Sequence, residues 1–217
     1  MLDLKNLNCL LPKTKSLLLE LVESCPFLDK YVLVGGSALA LHLCHRKSED
    51  LDFFTYADSF DKKEIFEYLK HFKNKEILNQ TDEQIDLLLD GVKVTFFNAN
   101  WKFLKPKKIG RFNLASLNSI ASMKVNVLFL RAKFRDYYDL YFLVKKSMKL
   151  QEIFISSLNV VDGLNFKLFA VALLYIDDIE DDDIEYLEPI ESLNKIKIRD
   201  FFEYELNQIK NLKETDK

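Results

Sequence analysis

An apolar run, Tyr31-Val32-Leu33-Val34, stops at Gly35-Gly36, and Ser37, Leu39, Ala40, Leu43 and Cys44 then recur at roughly helical spacing. A second short strand follows, with Asp50 and Asp52 separated by one residue. Strand, tight turn, helix and strand in so short a stretch commit the first part of the chain to a sheet with helices on it. Side chains alternate along a strand, so both carboxylates are expected on one face. Two carboxylates side by side repel each other unless a cation sits between them. Magnesium (Mg2+) is the ordinary choice, because it favours a few carboxylates plus substrate phosphates. Gly35 and Gly36 supply the second half of such a site. Glycine lets a ligand approach the backbone, and the helix that begins there aims its free N–H groups forward, with phosphate the favoured occupant. The stretch offers a phosphate cradle and a metal-binding pair.

Composition narrows the setting. The chain has 217 residues, 48% of them hydrophobic, with 5 Gly and 4 Pro, which suits one large domain or two small ones. No apolar run approaches the length of a membrane span, and Met1-Leu2-Asp3-Leu4-Lys5 lacks the pattern of a signal peptide. A cytoplasmic protein is the expectation. Cys9, Cys25 and Cys44 are odd in number and widely spaced, so they read as reduced thiols rather than a disulfide framework or zinc site. His42, His45 and His71 have no metal-ligand spacing with any cysteine. The net charge of −3 argues against a chain coated in basic residues for nucleic acid, but leaves room for a local basic patch.

Leu10 to Glu23 reads as a first helix, with Pro12 in its first turn and an apolar stripe of Leu17, Leu18, Leu21 and Val22. Past the aspartate strand, Asp58 or Ser59 is expected to cap a helix from about Asp61 to Phe72. Lys75 to Leu78 is a candidate strand, and Ile85 to Leu89 and Val92 to Phe97 flank Asp90-Gly91, a strong hairpin signal. A basic connector with Pro106 and Gly110 runs from Trp101 to Arg111, and from Ser116 onward nearly every segment has helical period. The expected fold is α+β: a mixed-sheet domain over residues 1–112, then a helical bundle over residues 113–217. The tail from Lys213 to Lys217 is the one segment expected to be disordered.

Gly35-Gly36-Ser37, followed by Arg46-Lys47-Ser48-Glu49-Asp50-Leu51-Asp52-Phe53, resembles the first motif of the polymerase-beta-type nucleotidyltransferases. It looks most like the AbiEii/AbiGii branch, whose members include toxins of bacterial toxin–antitoxin and abortive-infection systems. The resemblance implies a polymerase-beta-like nucleotidyltransferase fold. Nucleotide would be held by Gly35, Gly36, Ser37, Arg46 and Ser48, and metal by Asp50 and Asp52.

Lys124 and Arg131 lie two turns apart on one helical face, and Asp136 and Asp139 share a face of the next helix. By themselves these residues suit a salt-bridge network pinning two helices together. The runs Met123 to Arg131 and Arg135 to Leu140 resemble the third and fourth motifs of the same family. That resemblance implies that Lys124 contacts nucleotide phosphates and that Asp136 or Asp139 is needed for activity, with the choice open; Arg131 suits either job. The resemblance covers about the first two-thirds of the chain.

The same superfamily commonly uses a third carboxylate on a later strand. The matching strand, Val92 to Phe97, has no acid, and Thr95 occupies the likeliest position. Asp86 and Asp90 are substitutes that no sequence signal places. The resemblance thus implies magnesium-dependent transfer of a nucleoside monophosphate from a nucleoside triphosphate to RNA, tRNA among the candidates, or to protein. The alternatives are a degenerate nucleotide binder and a toxin component whose main business is holding an antitoxin. The acidic run from Asp177 to Glu188 offers a docking surface for a basic antitoxin, and Trp101 and Phe103 among lysines offer RNA contacts. Each segment more commonly serves as a solvated loop or linker.

Overall fold

The computed structural model describes residues 6–55, 60–99, 104, 106–180 and 183–215, with side chains to Ile209. The chain divides into two compact units, Met1–Ser116 and Leu117–Lys217.

The first unit is built on a seven-stranded mixed sheet. Its strands are β1 (Val32–Val34), β2 (Leu51–Thr55), β3 (Lys75–Gln80), β4 (Gln84–Leu89), β5 (Val92–Asn98), β6 (Lys107–Ile109) and β7 (Phe112–Leu114), in the order β3-β4-β5-β2-β1-β7-β6. β1 is antiparallel to β2 and parallel to β7, while β2 and β5 are parallel. The helices are α1 (Pro12–Ser24), α2 (Gly35–Leu43) and α3 (Lys62–Leu69). Pro12 sits in the first turn of α1, where its missing N–H costs nothing. Asp61 caps α3 by accepting from the Lys63 and Glu64 N–H groups, so the cap is neither of the two residues expected; Asp58 and Ser59 lie outside the described residues.

Alternation along the strands gives this sheet one apolar face. Phe53 and Phe96 stack on it with centroids 5.5 Å apart, Phe27 and Tyr31 meet Phe96 edge-on, and Tyr68 meets Phe27 edge-on. Ser24 of α1 and Tyr68 of α3 share a hydrogen bond of 2.7 Å over this core. The opposite face carries Asp52, Phe54, Lys93, Thr95, Phe97, Asp86 and Leu88 and is partly open, with Lys93 exposed.

Two expectations fail here. The basic connector is not simply a linker: its second half forms β6 and, with Gly110 and Arg111 at the turn, runs into β7. β7 pairs with β1, so the sheet takes in the residues around the boundary expected near Asn113, and the first unit runs to Ser116. Trp101 and Phe103 lie outside the described residues. The cysteines are the second failure. The structure joins Cys9 to Cys44 in a disulfide and leaves Cys25 as a buried thiol. Spacing along the chain hid this contact, which forms because Leu10 bridges Ser48 and brings the two segments side by side.

The second unit is helical, with no strand among the described residues. It comprises α4 (Leu117–Leu130), α5 (Phe134–Lys146), α6 (Leu150–Ser157), α7 (Phe166–Leu174) and α8 (Lys195–Thr215). α8 runs to Thr215, into the tail expected to be disordered from Lys213. Tyr137, Tyr138, Phe142, Phe169 and Phe202 fill its core, and the Tyr137 hydroxyl donates to the Ala172 carbonyl at 2.9 Å. In the acidic run, Asp177 meets Arg199 at 3.3 Å, while Asp181 and Asp182 lie outside the described residues. No helix among the described residues is long and apolar enough to cross a membrane.

Candidate active site

β1 ends at Val34, and Gly35 turns the chain into α2 with φ +70°, a conformation that side chains rarely adopt. A Cβ on Gly35 would lie 2.6 Å from Asp52 Oδ2. A Cβ on Gly36 would lie 3.1 Å from both Arg46 Nη2 and Ser48 Oγ. The two glycines therefore bring bare backbone against the groups that the motif supplies. Ser37 turns its hydroxyl onto the Asp50 carbonyl and ties the first turn of α2 to the start of β2. Asp52 lies on β2 and is half-buried, as is Asp50, which the structure places just before the strand rather than on it as expected from alternation.

The loop carrying Arg46 and Ser48 is held from the N-terminal side. Leu11 N–H donates to the Ser48 carbonyl at 2.9 Å, Ser48 N–H donates to the Cys9 carbonyl at 3.1 Å, and Thr14 Oγ1 donates to the Glu49 carbonyl at 2.7 Å. The disulfide to Cys44 closes the same brace. Arg46 is buried, with Nη1 donating to the Lys47 carbonyl at 2.8 Å.

Among the described residues no group of three or more His, Cys, Asp and Glu could hold a metal. The pair Asp50 and Asp52 still fits magnesium, which keeps several waters and takes phosphate oxygens, so two carboxylates suffice. The cradle that a Cβ on Gly35 would fill lies directly against the Asp52 carboxylate, where such a metal and phosphate would meet.

In the second unit Lys124 Nζ lies 2.8 Å from Asp136 Oδ1 and 2.6 Å from Asp139 Oδ2, and Arg131 Nη2 lies 3.6 Å from Asp136. The lysine is 7% exposed and both carboxylates 0%. Asp136 also accepts from the Lys133 N–H, capping α5. Lys124 thus bridges two buried carboxylates, with the half-exposed Arg131 beside Asp136. The residues of the third and fourth motifs are thus in contact with one another, and Lys124 touches both aspartates between which the sequence left the choice open.

Residues 17–98 match the family model described as nucleotidyl transferase AbiEii toxin, type IV toxin–antitoxin system. An uncharacterized protein of Aquifex aeolicus (strain VF5) is 32% identical over 195 residues, which is 85% of this chain and 94% of that one. The chain belongs to the AbiEii nucleotidyltransferase toxin family. Two solved structures share its fold. MenT4, a nucleotidyltransferase toxin from Mycobacterium tuberculosis H37Rv, is similar with a TM-score of 0.60 and 16% identity, over 86% of this chain and 79% of that one. JHP933 from Helicobacter pylori is similar with a TM-score of 0.57 and 19% identity, over 99% of this chain and 97% of that one. The family model spans the glycine turn and both aspartates of this AbiEii chain and ends before Lys124.

Sequence reasoning missed the N-terminal brace and the surroundings of Asp86. The first had no signal, since it rests on main-chain bonds between distant segments. The second was open to a register argument once the Asp90-Gly91 hairpin was recognised: the two-residue turn sets Asp86 opposite Thr95.

Proposed function

We propose that this AbiEii family member is a metal-dependent nucleotidyltransferase. It moves a nucleoside monophosphate from a nucleoside triphosphate to an RNA, tRNA among the candidates, or to a protein, and acts as the cytoplasmic toxin of a toxin–antitoxin pair. The observation that carries this reading is the approach of Gly35 to Asp52, because it sets a carboxylate directly beside a helix N-terminus. Magnesium held by Asp50 and Asp52 would polarise the α-phosphate and balance the charge of the leaving pyrophosphate. Gly36, Ser37, Arg46 and Ser48 hold and orient the phosphates. Lys124 and Arg131 take the phosphate-contacting part that the motif resemblance implies, with Asp136 and Asp139 fixing the position of the Lys124 side chain.

A triphosphate entering beside Asp50 and Asp52 meets like charge unless a cation intervenes. Triphosphate binding should therefore require magnesium, and Asp52→Asn should remove most of that requirement while leaving the fold intact. Calorimetry with magnesium and with chelator checks this, and labelled triphosphates incubated with total RNA or protein report transfer. Equal affinity with and without metal would sink the reading. A second reading, a nucleotide binder that transfers nothing, is favoured by the absence of an acid on β5, where Thr95 stands; metal-dependent binding without transfer is its signature.

A further inference from the structure

The face that carries Asp52 continues across the sheet as a polar row. Asp52 pairs with Thr95, Thr95 with Asp86, and Asp86 with Asn79, on β2, β5, β4 and β3 in turn. Directly opposed residues of paired strands point to the same face. Thr95 Oγ1 donates to Asp86 Oδ1 at 2.8 Å, and Asp86 Oδ2 accepts from Gln84 Nε2 at 2.8 Å and from Asn79 Nδ2 at 3.3 Å. Asp86 is 8% exposed and Thr95 6%, and among the described residues no cation pairs with Asp86. A buried carboxylate held by neutral donors alone is an expensive arrangement for structure, since apolar residues would fill the place at lower cost.

We infer that Thr95 receives the acceptor hydroxyl and that Asp86 positions Thr95 and takes up the proton. The acceptor subsite then lies on this sheet face, beside Asp52. The inference rests on the nucleotidyltransferase reading above. Neighbouring strands are about 4.8 Å apart, so Thr95 stands one spacing from Asp52 and Asp86 stands two, about 10 Å. Asp86 is too distant to share a cation with Asp52, because magnesium binds oxygen at about 2.1 Å. Thr95 is close enough to face a hydroxyl delivered to an α-phosphate at Asp52. Its own proton is committed to Asp86, so its free lone pairs accept from that hydroxyl. In the step, the acceptor oxygen bonds to the α-phosphorus and the bond to pyrophosphate breaks. Pyrophosphate leaves with the electron pair. The acceptor proton passes to Thr95 Oγ1 as the Thr95 proton passes to Asp86, which later returns it to water.

The test uses the full chain, magnesium, α-labelled triphosphate and a whole bacterial extract as the source of RNA and protein acceptors. Asp86→Asn and Thr95→Val should bind magnesium triphosphate as the wild type does and keep its KM, while kcat falls by about 100-fold or more. Thr95→Ser, which restores the hydroxyl, should retain most of the rate. Wild-type rates in Asp86→Asn or Thr95→Val would overturn the inference, and so would a Thr95→Ser variant as slow as Thr95→Val. Wild-type protein that binds magnesium triphosphate yet labels nothing would also overturn it, leaving the binding site standing. Loss of metal-dependent binding in the wild type would instead remove the parent reading. Circular dichroism melts accompany each variant; if Asp86→Asn fails to fold, the Val and Ser variants of Thr95 decide.

Discussion

Gly35 and Gly36 are adjacent and identical, but they answer to different constraints. Gly35 has φ +70° and its missing Cβ would meet the Asp52 carboxylate at 2.6 Å, so both backbone and space demand glycine. Gly36 faces only the ends of two side chains, Arg46 and Ser48, at 3.1 Å. Gly35→Ala should therefore destabilise the first unit by about 1–3 kcal/mol, the cost of a strained backbone, and should also displace Asp52 and abolish magnesium-dependent triphosphate binding. Gly36→Ala should cost less stability and weaken binding by shifting Arg46. Denaturant melts and calorimetry on the two variants check this, and equal effects would show that the Asp52 contact does not matter.

Among elements, the segment before α1 and that helix's first turn matter more than their length suggests. Cys9, Leu10, Leu11 and Thr14 hold the loop from Cys44 to Glu49 by main-chain bonds, one side-chain bond and the disulfide. The cross-link spans 35 residues, and closing a loop of that size stabilises by about 3–4 kcal/mol through the unfolded chain. Reductant, or Cys9→Ser with Cys44→Ser, should lower stability by about that amount in denaturant titrations; superimposable curves would show that the bond does not form in solution. This brace marks where sequence reading stops. The β1–α2–β2 passage, α1 and the Asp90-Gly91 hairpin were legible because each is written in neighbouring residues: an apolar run, a glycine turn, a helical stripe. Cys9 against Cys44, β6 joining a sheet through β7, and Asp61 in place of an earlier cap depend on pairings or on choices among adjacent polar residues. Asp50 and Asp52 drew notice from their spacing alone, whereas Asp86 became meaningful only once Thr95 stood opposite it.

Across the whole molecule, several ionisable groups are held neutral by burial. Desolvation raises the Cys25 thiol to about 12 and also raises the hydroxyls of Tyr31, Tyr68 and Tyr137. In the unfolded chain these groups lose protons near their ordinary values, so above about pH 9 the unfolded state binds fewer protons than the folded one. Stability should be unaffected by them at neutral pH and should fall as pH rises from about 9 toward 12. Thermal melts across that range check the sign, and a flat profile would contradict the burial of these groups. The hairpin at Asp90-Gly91 has a different reach. Asp90 and Gly91 both have positive φ, and this two-residue turn alone sets which β4 residue stands opposite each β5 residue. One residue added there would slip the register and turn Asp86 to the apolar face. Surface turns are ordinarily where a lineage gains and loses residues freely. This one is expected to evolve by substitution but not by change of length, so its spacing is inherited together with the chemistry of the face it aligns.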